Sequence, residues 1–351
     1  MGWVQRLAGS RRFQSLSMRI PGLRRIARRE GEAIFDLVAG FCHSQVLMAL
    51  VDLGLLQRLG EGPAEAAQLS RVSGVPAERL EVLLRSAISL GLFHRRGGTL
   101  HLTARGAALA AVPGLTEMIS HHRLLYRDLE DPAAFFRGET EPELAGFWPY
   151  VFGAGAAEDP AQAAAYSRLM TESQALVAED TLALCDFGSA RRLMDVGGGA
   201  GAFLSEVATR YPDLPLTLFD LPAVAPAAES RLGTRVRICS GSFRNDSLPS
   251  GADVVTLIRV LYDHSDETVR ALLGRVHAAL PDGGRLVVSE PMAGSRAGDA
   301  YFSLYCMAMR TGRVRSPSEI RSLMAEAGFA PVRPRSRRPF VTTVVEGVRN
   351  S

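Results

Sequence analysis

The 351-residue chain contains no lysine; all 40 of its basic residues are arginine. That absence excludes a pyridoxal-phosphate Schiff base, a lysine nucleophile and a P-loop nucleotide site, since each needs a primary amine. Cysteine is scarce as well. Cys42, Cys185, Cys239 and Cys306 lie far apart, with no CxxC pair and no histidine at zinc spacing, so neither a disulfide framework nor a metal site is expected. Long apolar runs are also lacking. Leu37 to Val51 is interrupted by His43, Ser44 and Gln45 and bracketed by Asp36 and Asp52, which argues against a membrane span. No apolar signal-peptide core follows the first charges, and Met-Gly-Trp-Val-Gln-Arg lacks the hydroxyl residue of a myristoylation signal, so a cytoplasmic protein is expected.

What is present suits a folded chain of two domains, with 47% hydrophobic residues over a length beyond one ordinary domain. The net charge of +3 is unevenly spread, because residues 1–29 carry eight arginines before the first acid, Glu30. Such a segment is either a solvated tail or a contact for an anionic partner. With Phe13, Leu16, Met18, Ile20, Leu23 and Ile26 interleaved, it could dock on anionic lipid at the inner membrane.

Residues 31–56 place apolar side chains around most of a helix, the pattern of a helix covered by another subunit or domain. Two short amphipathic helices follow, broken at Gly74-Val75-Pro76, and then a hairpin turning at Gly97-Gly98. Helix, turn, helix, hairpin is a winged-helix pattern. Residues 76–92, where a DNA reader would present a basic face, carry Glu78, Arg79, Glu81 and Arg85, which nearly cancel, so no nucleic-acid partner is expected. From 113 to about 180 the pattern is helical, with His121-His122 and an aromatic group of Phe135, Phe136, Phe147, Trp148, Tyr150 and Phe152. These aromatics suit core packing and the wall of an apolar substrate pocket equally well.

After residue 190, short apolar strands alternate with helices, the rhythm of a doubly wound parallel α/β sheet, and the tail adds two strands as an antiparallel edge. Asp195-Val-Gly-Gly-Gly-Ala-Gly201 ends a strand and opens a helix, so backbone amides at a helix N-terminus face a ligand. Asp220, in Leu218-Phe-Asp-Leu-Pro222, ends the next strand, where a carboxylate can accept both hydroxyls of an adenosine ribose. The glycine pattern alone also fits a nicotinamide site. An acid two residues before the first glycine, a third site at Gly241-Ser242-Phe243 and an acidic helix start after the fourth strand recur together in methyltransferases.

In order, DVGGGAG, FDLP, SGSF, RVLYDHSDE and PDGGRLVVSEPM, behind a winged-helix half, resemble the plant-type O-methyltransferase family over essentially the whole chain. FDLVAGFCHSQVLMA, FWPYVFGAG, YSRLMTESQALVAE, LIRVLYDHSDETV and YFSLYCMAMRTGRVRSP resemble, more narrowly, the carotenoid O-methyltransferases of phototrophic bacteria, the hydroxyneurosporene or demethylspheroidene type. The resemblance implies a Rossmann-like class I methyltransferase domain behind an α-helical, winged-helix-like dimerisation domain. The expected divisions are a basic segment 1–30, a dimerisation domain 31–112, a substrate-covering region 113–180 and a cofactor domain 181–351. A homodimer acting on a hydrophobic small molecule, a carotenoid, follows from it.

The resemblance further implies S-adenosylmethionine contacts at Gly197 on the methionine side, Asp220 on the ribose, Ser242 and Phe243 around the adenine, and Arg259. Asp195, Gly199, Gly201, Leu221 and Gly241 complete the expected cofactor set. Two departures bear on the chemistry: the family's adenine-contacting acid is Ser242 here, and its His-Asp-Trp is Tyr262-Asp263-His264. Tyr262 therefore stands at the base position, with His264, Glu290 and the pair His121-His122 as further candidates. Val314 replaces a second supporting acid. A tyrosine with an ordinary pKa of about 10 is a poor base at neutral pH, so Tyr262 is expected to orient the acceptor hydroxyl, with His264 either a proton acceptor or a structural stand-in for Trp. Other acceptors on the same fold (a phenol or a tetrapyrrole), a nicotinamide oxidoreductase and a winged-helix regulator are the rival readings.

Overall fold

The structure, a computed structural model, describes residues 10, 21–146, 174, 177–332 and 341–350. Phe147, Trp148, Tyr150 and Phe152, and the arginines and apolar residues before Pro21, lie outside the described residues. The chain divides into two compact units, Met1–Val112 and Pro113–Ser351.

The first unit opens with a 32-residue helix, α1 (Pro21–Asp52). It begins ten residues before the helix expected from periodicity. Proline suits a first helical position because its fixed φ is already helical, and Arg28 and Glu32 pair one turn apart at 3.0 Å. The expected single helix also breaks, because Gly54 takes φ +63° and restarts the chain as α2 (Leu55–Gly60). By length and composition alone, Gly22–Asp52 is long and apolar enough to cross a membrane despite the polar triplet at 43–45. Phe35, Leu37, Val38 and Phe41 on this helix are all exposed in the single chain.

Behind it, α3 (Ala66–Ser73) and α4 (Ala77–Ser89) lead into the hairpin of β2 (Phe93–Arg96) and β3 (Thr99–Leu102), turned by Gly97-Gly98 as expected. A two-residue strand, β1 (Ala64–Glu65), adds to β3 and was not legible beforehand. Leu50, Leu55, Leu80, Leu84, Phe93 and Leu100 close the core of this unit, and α5 (Ala104–Ala111) ends it, capped by the Thr103 hydroxyl on Gly106 N–H.

The second unit begins with α6 (Leu115–Asp128), α7 (Pro132–Arg137) and α8 (Glu143–Gly146). The buried Asp128 carboxylate accepts the N–H groups of Glu143 at 2.6 Å and Leu144 at 3.1 Å, fixing α8 on α6. A seven-stranded sheet follows, in the order β6-β5-β4-β7-β8-β10-β9. Its parallel strands β4 (Leu193–Val196), β5 (Leu216–Asp220), β6 (Val236–Ser240), β7 (Val254–Ile258) and β8 (Arg285–Glu290) alternate with α9 (Ala202–Arg210), α10 (Ala225–Leu232) and α11 (Asp266–Ala279). Every residue of β4 and β7 is buried, as befits strands covered on both faces. A π-helical turn at Ala297–Phe302 runs into α12 (Ser303–Met309), and α13 (Pro317–Glu326) precedes β9 (Phe329–Pro331) and β10 (Thr343–Arg349). β10 inserts between β8 and β9, antiparallel to both. Strand order reverses between β4 and β7, so the crevice at their carboxyl ends is the natural ligand position.

Candidate functional site

At the end of β4 the chain turns through Gly197, Gly199 and Gly201, all with positive φ, before α9 begins. Gly198 is required for a different reason. A Cβ there would stand 2.2 Å from Asp195 Oδ2 and 2.8 Å from Leu218 Cδ1, so any side chain displaces the strand end. Asp195 itself is fully buried and accepts the Thr256 hydroxyl at 2.6 Å through Oδ1. Oδ2 has no hydrogen-bond partner among the described residues. Burial, reinforced by Asp220, pushes this carboxyl up to about 7 against the pull of Thr256.

Asp220 ends β5 and ties two turns together, with Oδ2 accepting Gly199 N–H and Oδ1 accepting Leu221 N–H, both at 2.7 Å. Burial raises its pKa while these two bonds oppose the shift. Each oxygen keeps a lone pair for an incoming hydroxyl. At the end of β6, Gly241 N–H bonds Asp220 O at 2.9 Å, and Ser242 N–H bonds Asp246 Oδ2 at 2.7 Å. Asp246 was not singled out in the sequence; it holds the turn that carries Ser242. Phe243 stands over the glycine turn, 3.7 Å from where a Gly197 Cβ would lie, and its ring meets His264 edge to face at 5.2 Å. The turn ends at β4, β5 and β6 are thus one contiguous cradle of backbone amides, a carboxylate and an aromatic face.

Arg259, at the end of β7, adopts φ +58°, unusual for a residue with a side chain, while its N–H bonds Ser289 O at 2.8 Å. Its guanidinium donates to Tyr262 Oη at 3.3 Å and lies 5.9 Å from the Phe302 ring centroid. Tyr262 is 2% exposed, and burial raises its pKa well above the phenol range despite Arg259. It cannot ionise at neutral pH. Glu290, at the end of β8, is fully buried, and its Oε2 accepts the N–H groups of Leu261 at 2.9 Å and Tyr262 at 3.2 Å. Burial pushes Glu290 up to about 7, opposed by Arg315 and those two bonds. Asp263 is raised well above the carboxylate range, again by burial, against the pull of Arg259.

His264 turns toward the cofactor cradle: Nδ1 lies 3.1 Å from Arg244, and the ring packs on Phe243. Burial, then Arg244 and Arg315, lower it to about 4, so it is neutral. Sequence reasoning missed Arg315, whose side chain is wholly buried. It donates to Leu261 O and His264 O, each at 2.8 Å, and to Asp266 at 2.6 Å, clamping the turn that carries Tyr262. Gly312 completes the clamp, since a Cβ there would lie 2.1 Å from Tyr262 O. Neither carries a sequence signal, because buried arginine is rare and nothing local marks which glycine touches a distant backbone.

A separate polar and aromatic group faces this turn from α6 and the π-helical turn. His122 Nε2 lies 2.8 Å from Tyr301 Oη, and the Tyr301 ring centroid is 4.9 Å from Tyr305 and 5.0 Å from Phe302. Phe302 in turn meets Tyr262 edge to face at 6.0 Å. His121, neighbouring Tyr305 at 6.2 Å, is held down at about 4 by burial and then by His122.

Residues 126–330 match the model of the O-methyltransferase domain, and residues 35–111 match the O-methyltransferase dimerisation domain. The demethylspheroidene O-methyltransferase of Cereibacter sphaeroides is 56% identical over 99% of this chain and 94% of its own length. The protein of the same name from Rhodobacter capsulatus is 53% identical over 99% of this chain and 90% of its own. Among solved structures, human N-acetylserotonin methyltransferase in complex with SAM superposes with a TM-score of 0.79, at 25% identity, over 92% of this chain and 98% of that one.

Proposed function

Because the chain belongs to the O-methyltransferase family, we propose that it methylates the C-1 hydroxyl of an acyclic carotenoid of the hydroxyneurosporene or demethylspheroidene type. It is an S-adenosylmethionine-dependent O-methyltransferase; the acceptor and the roles of individual residues are the proposed part. The observation that carries the acceptor is the near end-to-end likeness to two demethylspheroidene O-methyltransferases, both above half identity.

The cradle at β4, β5 and β6 fits the cofactor. Asp220 would take the ribose hydroxyls, Phe243 with Ser242 and Gly241 would border the adenine, and Gly197 with Gly199 and Gly201 would line the methionine side. Leu221 would sit beside the ribose and Arg259 at the methyl end. The buried, unsatisfied Asp195 Oδ2 fits a site that receives a cation, since a positive group nearby would hold that carboxyl ionised. When bound, S-adenosylmethionine supplies an electrophilic methyl group on a sulfonium. The chain's task is then to align the acceptor oxygen with that methyl group and to exclude water.

Tyr262 is assigned to orientation, holding Arg259 through its hydroxyl. Glu290 is assigned to fixing the Leu261-Tyr262 backbone, and His264 to backing Phe243. None of the three stands as an accessible base, and a buried tyrosine of raised pKa is consistent with an acceptor whose proton is not lost before methyl transfer.

We assign residues 31–112 to the dimer contact, 113–180 to covering the acceptor and 181–351 to the cofactor. The protein would work in the cytoplasm against the inner membrane, where a carotenoid dissolves. Arg24, Arg25, Arg28 and Arg29 are exposed on α1 beside Ile26 and support contact of segment 1–30 with anionic lipid. Co-sedimentation with anionic liposomes should exceed that of a chain starting at Gly31; equal sedimentation rejects the contact. For the acceptor, labelled S-adenosylmethionine is offered with a detergent-solubilised 1-hydroxy carotenoid or with a hydroxynaphthoate. Faster labelling of the carotenoid is expected, and exclusive labelling of the phenol would reject it.

A further inference from the structure

The oxygen at the family's base position is closed off: Tyr262 is 2% exposed and already accepts a bond from Arg259. Proton acceptance must therefore be sought among side chains that line the same turn and remain reachable. His122 and Tyr301 meet that description. Both are partly exposed, their Nε2 and Oη are 2.8 Å apart, and Tyr301 is joined to the Tyr262 turn through Phe302.

Two further observations point to the same place. Tyr301 and Phe302 lie in the π-helical turn Ala297–Phe302, an irregularity that costs backbone hydrogen-bond geometry and recurs at functional sites. Arg259, strained at φ +58°, sends its guanidinium to Tyr262 Oη and the Phe302 ring, so a fixed cation borders the space between Tyr262 and Tyr301. A cation there stabilises oxygen that becomes negative as it loses a proton.

We propose that Tyr301 and His122 form the proton-accepting pair of this enzyme, a function moved from the β7 turn to α6 and the π-helical turn. The inference rests on the proposed methylation of an aliphatic alcohol. As the acceptor oxygen forms its bond to the methyl carbon, the carbon–sulfur bond breaks and its electron pair stays on sulfur, leaving the thioether neutral. The acceptor's proton passes to Tyr301 Oη while the proton of Tyr301 passes to His122 Nε2. The imidazolium then releases that proton to solvent. Passing the proton in concert avoids a free tyrosinate, which burial disfavours by raising Tyr301 to about 12. Burial also lowers His122 below its ordinary value, so the imidazole is neutral and able to accept at pH 7.

The groups facing His122 are His121 and Tyr126 from α6 and Tyr301 and Tyr305 across from it. Among these, protonation of His121 or His122 is the change that acid brings, and both disfavour acceptance. The rate should therefore fall on the acid side, through the depressed His122 pKa.

The test compares wild type, His122→Gln, Tyr301→Phe and Tyr262→Phe with labelled S-adenosylmethionine and a detergent-solubilised 1-hydroxy carotenoid, with calorimetry of S-adenosylmethionine as the check of folding. His122→Gln and Tyr301→Phe should each lower kcat about 100-fold with KM little changed, and the double variant should fall no further than either. His122→Gln should also lose the acid limb of the kcat profile. Tyr262→Phe should lower kcat less than about 10-fold. A second readout needs no turnover: in histidine-labelled protein, Tyr301→Phe removes the donor to Nε2 and should raise the NMR titration midpoint of His122. Variants at His122 and Tyr301 with near wild-type kcat, or a His122 titration indifferent to Tyr301→Phe, would overturn the pair while leaving the acceptor reading intact. A wild type that binds the cofactor and leaves the carotenoid unmethylated overturns the acceptor reading and the pair with it.

Discussion

The two sides of the turn at residues 259–264 are built from different materials. On the cofactor side, ends of three adjacent parallel strands converge, and the groups presented are mostly main-chain amides with one carboxylate, Asp220. On the acceptor side, side chains from α6, β8, the π-helical turn and the segment before α13 meet across long stretches of sequence, as with His122 and Tyr301, 179 residues apart. A surface of main-chain amides tolerates little change of backbone and recognises one ligand. A surface of side chains can be altered one residue at a time. The departures that the resemblance implies fall on both sides, Ser242 in the cradle and Tyr262 and Val314 on the acceptor side, and in the cradle the turn is still held by Asp246 through the Ser242 N–H.

The sharpest way to break the cofactor side is Gly198→Ala, whose new methyl group must displace Asp195 or Leu218. S-adenosylmethionine affinity measured by calorimetry should fall about 1,000-fold, some 4 kcal/mol; a value within about 10-fold of wild type would show that the turn has room. Next in size is Arg315→Met, which strips donors from Leu261 O, His264 O and Asp266 together. Denaturant unfolding should show a loss of about 3 kcal/mol, since buried partners are left unsatisfied.

Gly312→Ala tests whether the two sides can be separated. Its Cβ presses on the Tyr262 carbonyl, far from the glycine turn in sequence, so kcat should fall about 30-fold, some 2 kcal/mol, while S-adenosylmethionine affinity stays within about 3-fold. Equal losses in both would mean that the turn at 262–264 shapes the cofactor cradle as much as the acceptor surface, through the contact of His264 with Phe243.

How much of this was legible beforehand follows the same division. The glycine turn, Asp220 and Phe243 are marked by contiguous motifs, because strand, turn and helix start are consecutive in the chain. The sheet and its antiparallel edge were legible from strand rhythm and turn residues. Arg315, Gly312, Asp246 and the His122–Tyr301 contact were not, since their meaning lies in what the fold brings beside them. The start of α1 at Pro21 was missed for a related reason: arginine-rich turns carry helix propensity without the apolar period used to find helices. The exposed apolar face of α1 was legible as a covered surface, and the match to the dimerisation domain says what kind.

The smallest effect concerns pH. Burial raises Glu290 from an ordinary 4.5 to about 7, so between those values the folded chain holds a proton that the unfolded chain has lost. The stability linked to that proton is fully present below about pH 4.5 and is lost as pH rises through 7. His264 has the opposite sign: lowered from 6.5 to about 4, it contributes stability above 6.5 that is lost as pH falls through 4. The two oppose each other across the same window. Glu290→Gln keeps an acceptor for Leu261 and Tyr262 but removes the titration, so the variant should lose melting temperature on acidification from pH 7 to 5 more steeply than wild type. Parallel melting curves would place the Glu290 carboxyl outside that window.

The central claim, methyl transfer to an aliphatic hydroxyl by a chain that carries Tyr262 where the resemblance implies a histidine base, is tested most directly by the structure of the product. Wild-type protein is incubated with S-adenosylmethionine carrying a trideuterated methyl group and a detergent-solubilised 1-hydroxy carotenoid, and the carotenoid is recovered for mass spectrometry and NMR. A trideuteromethoxy group at C-1 is the predicted result. Recovery of unlabelled carotenoid from protein that binds the cofactor, or label on carbon, would contradict the account.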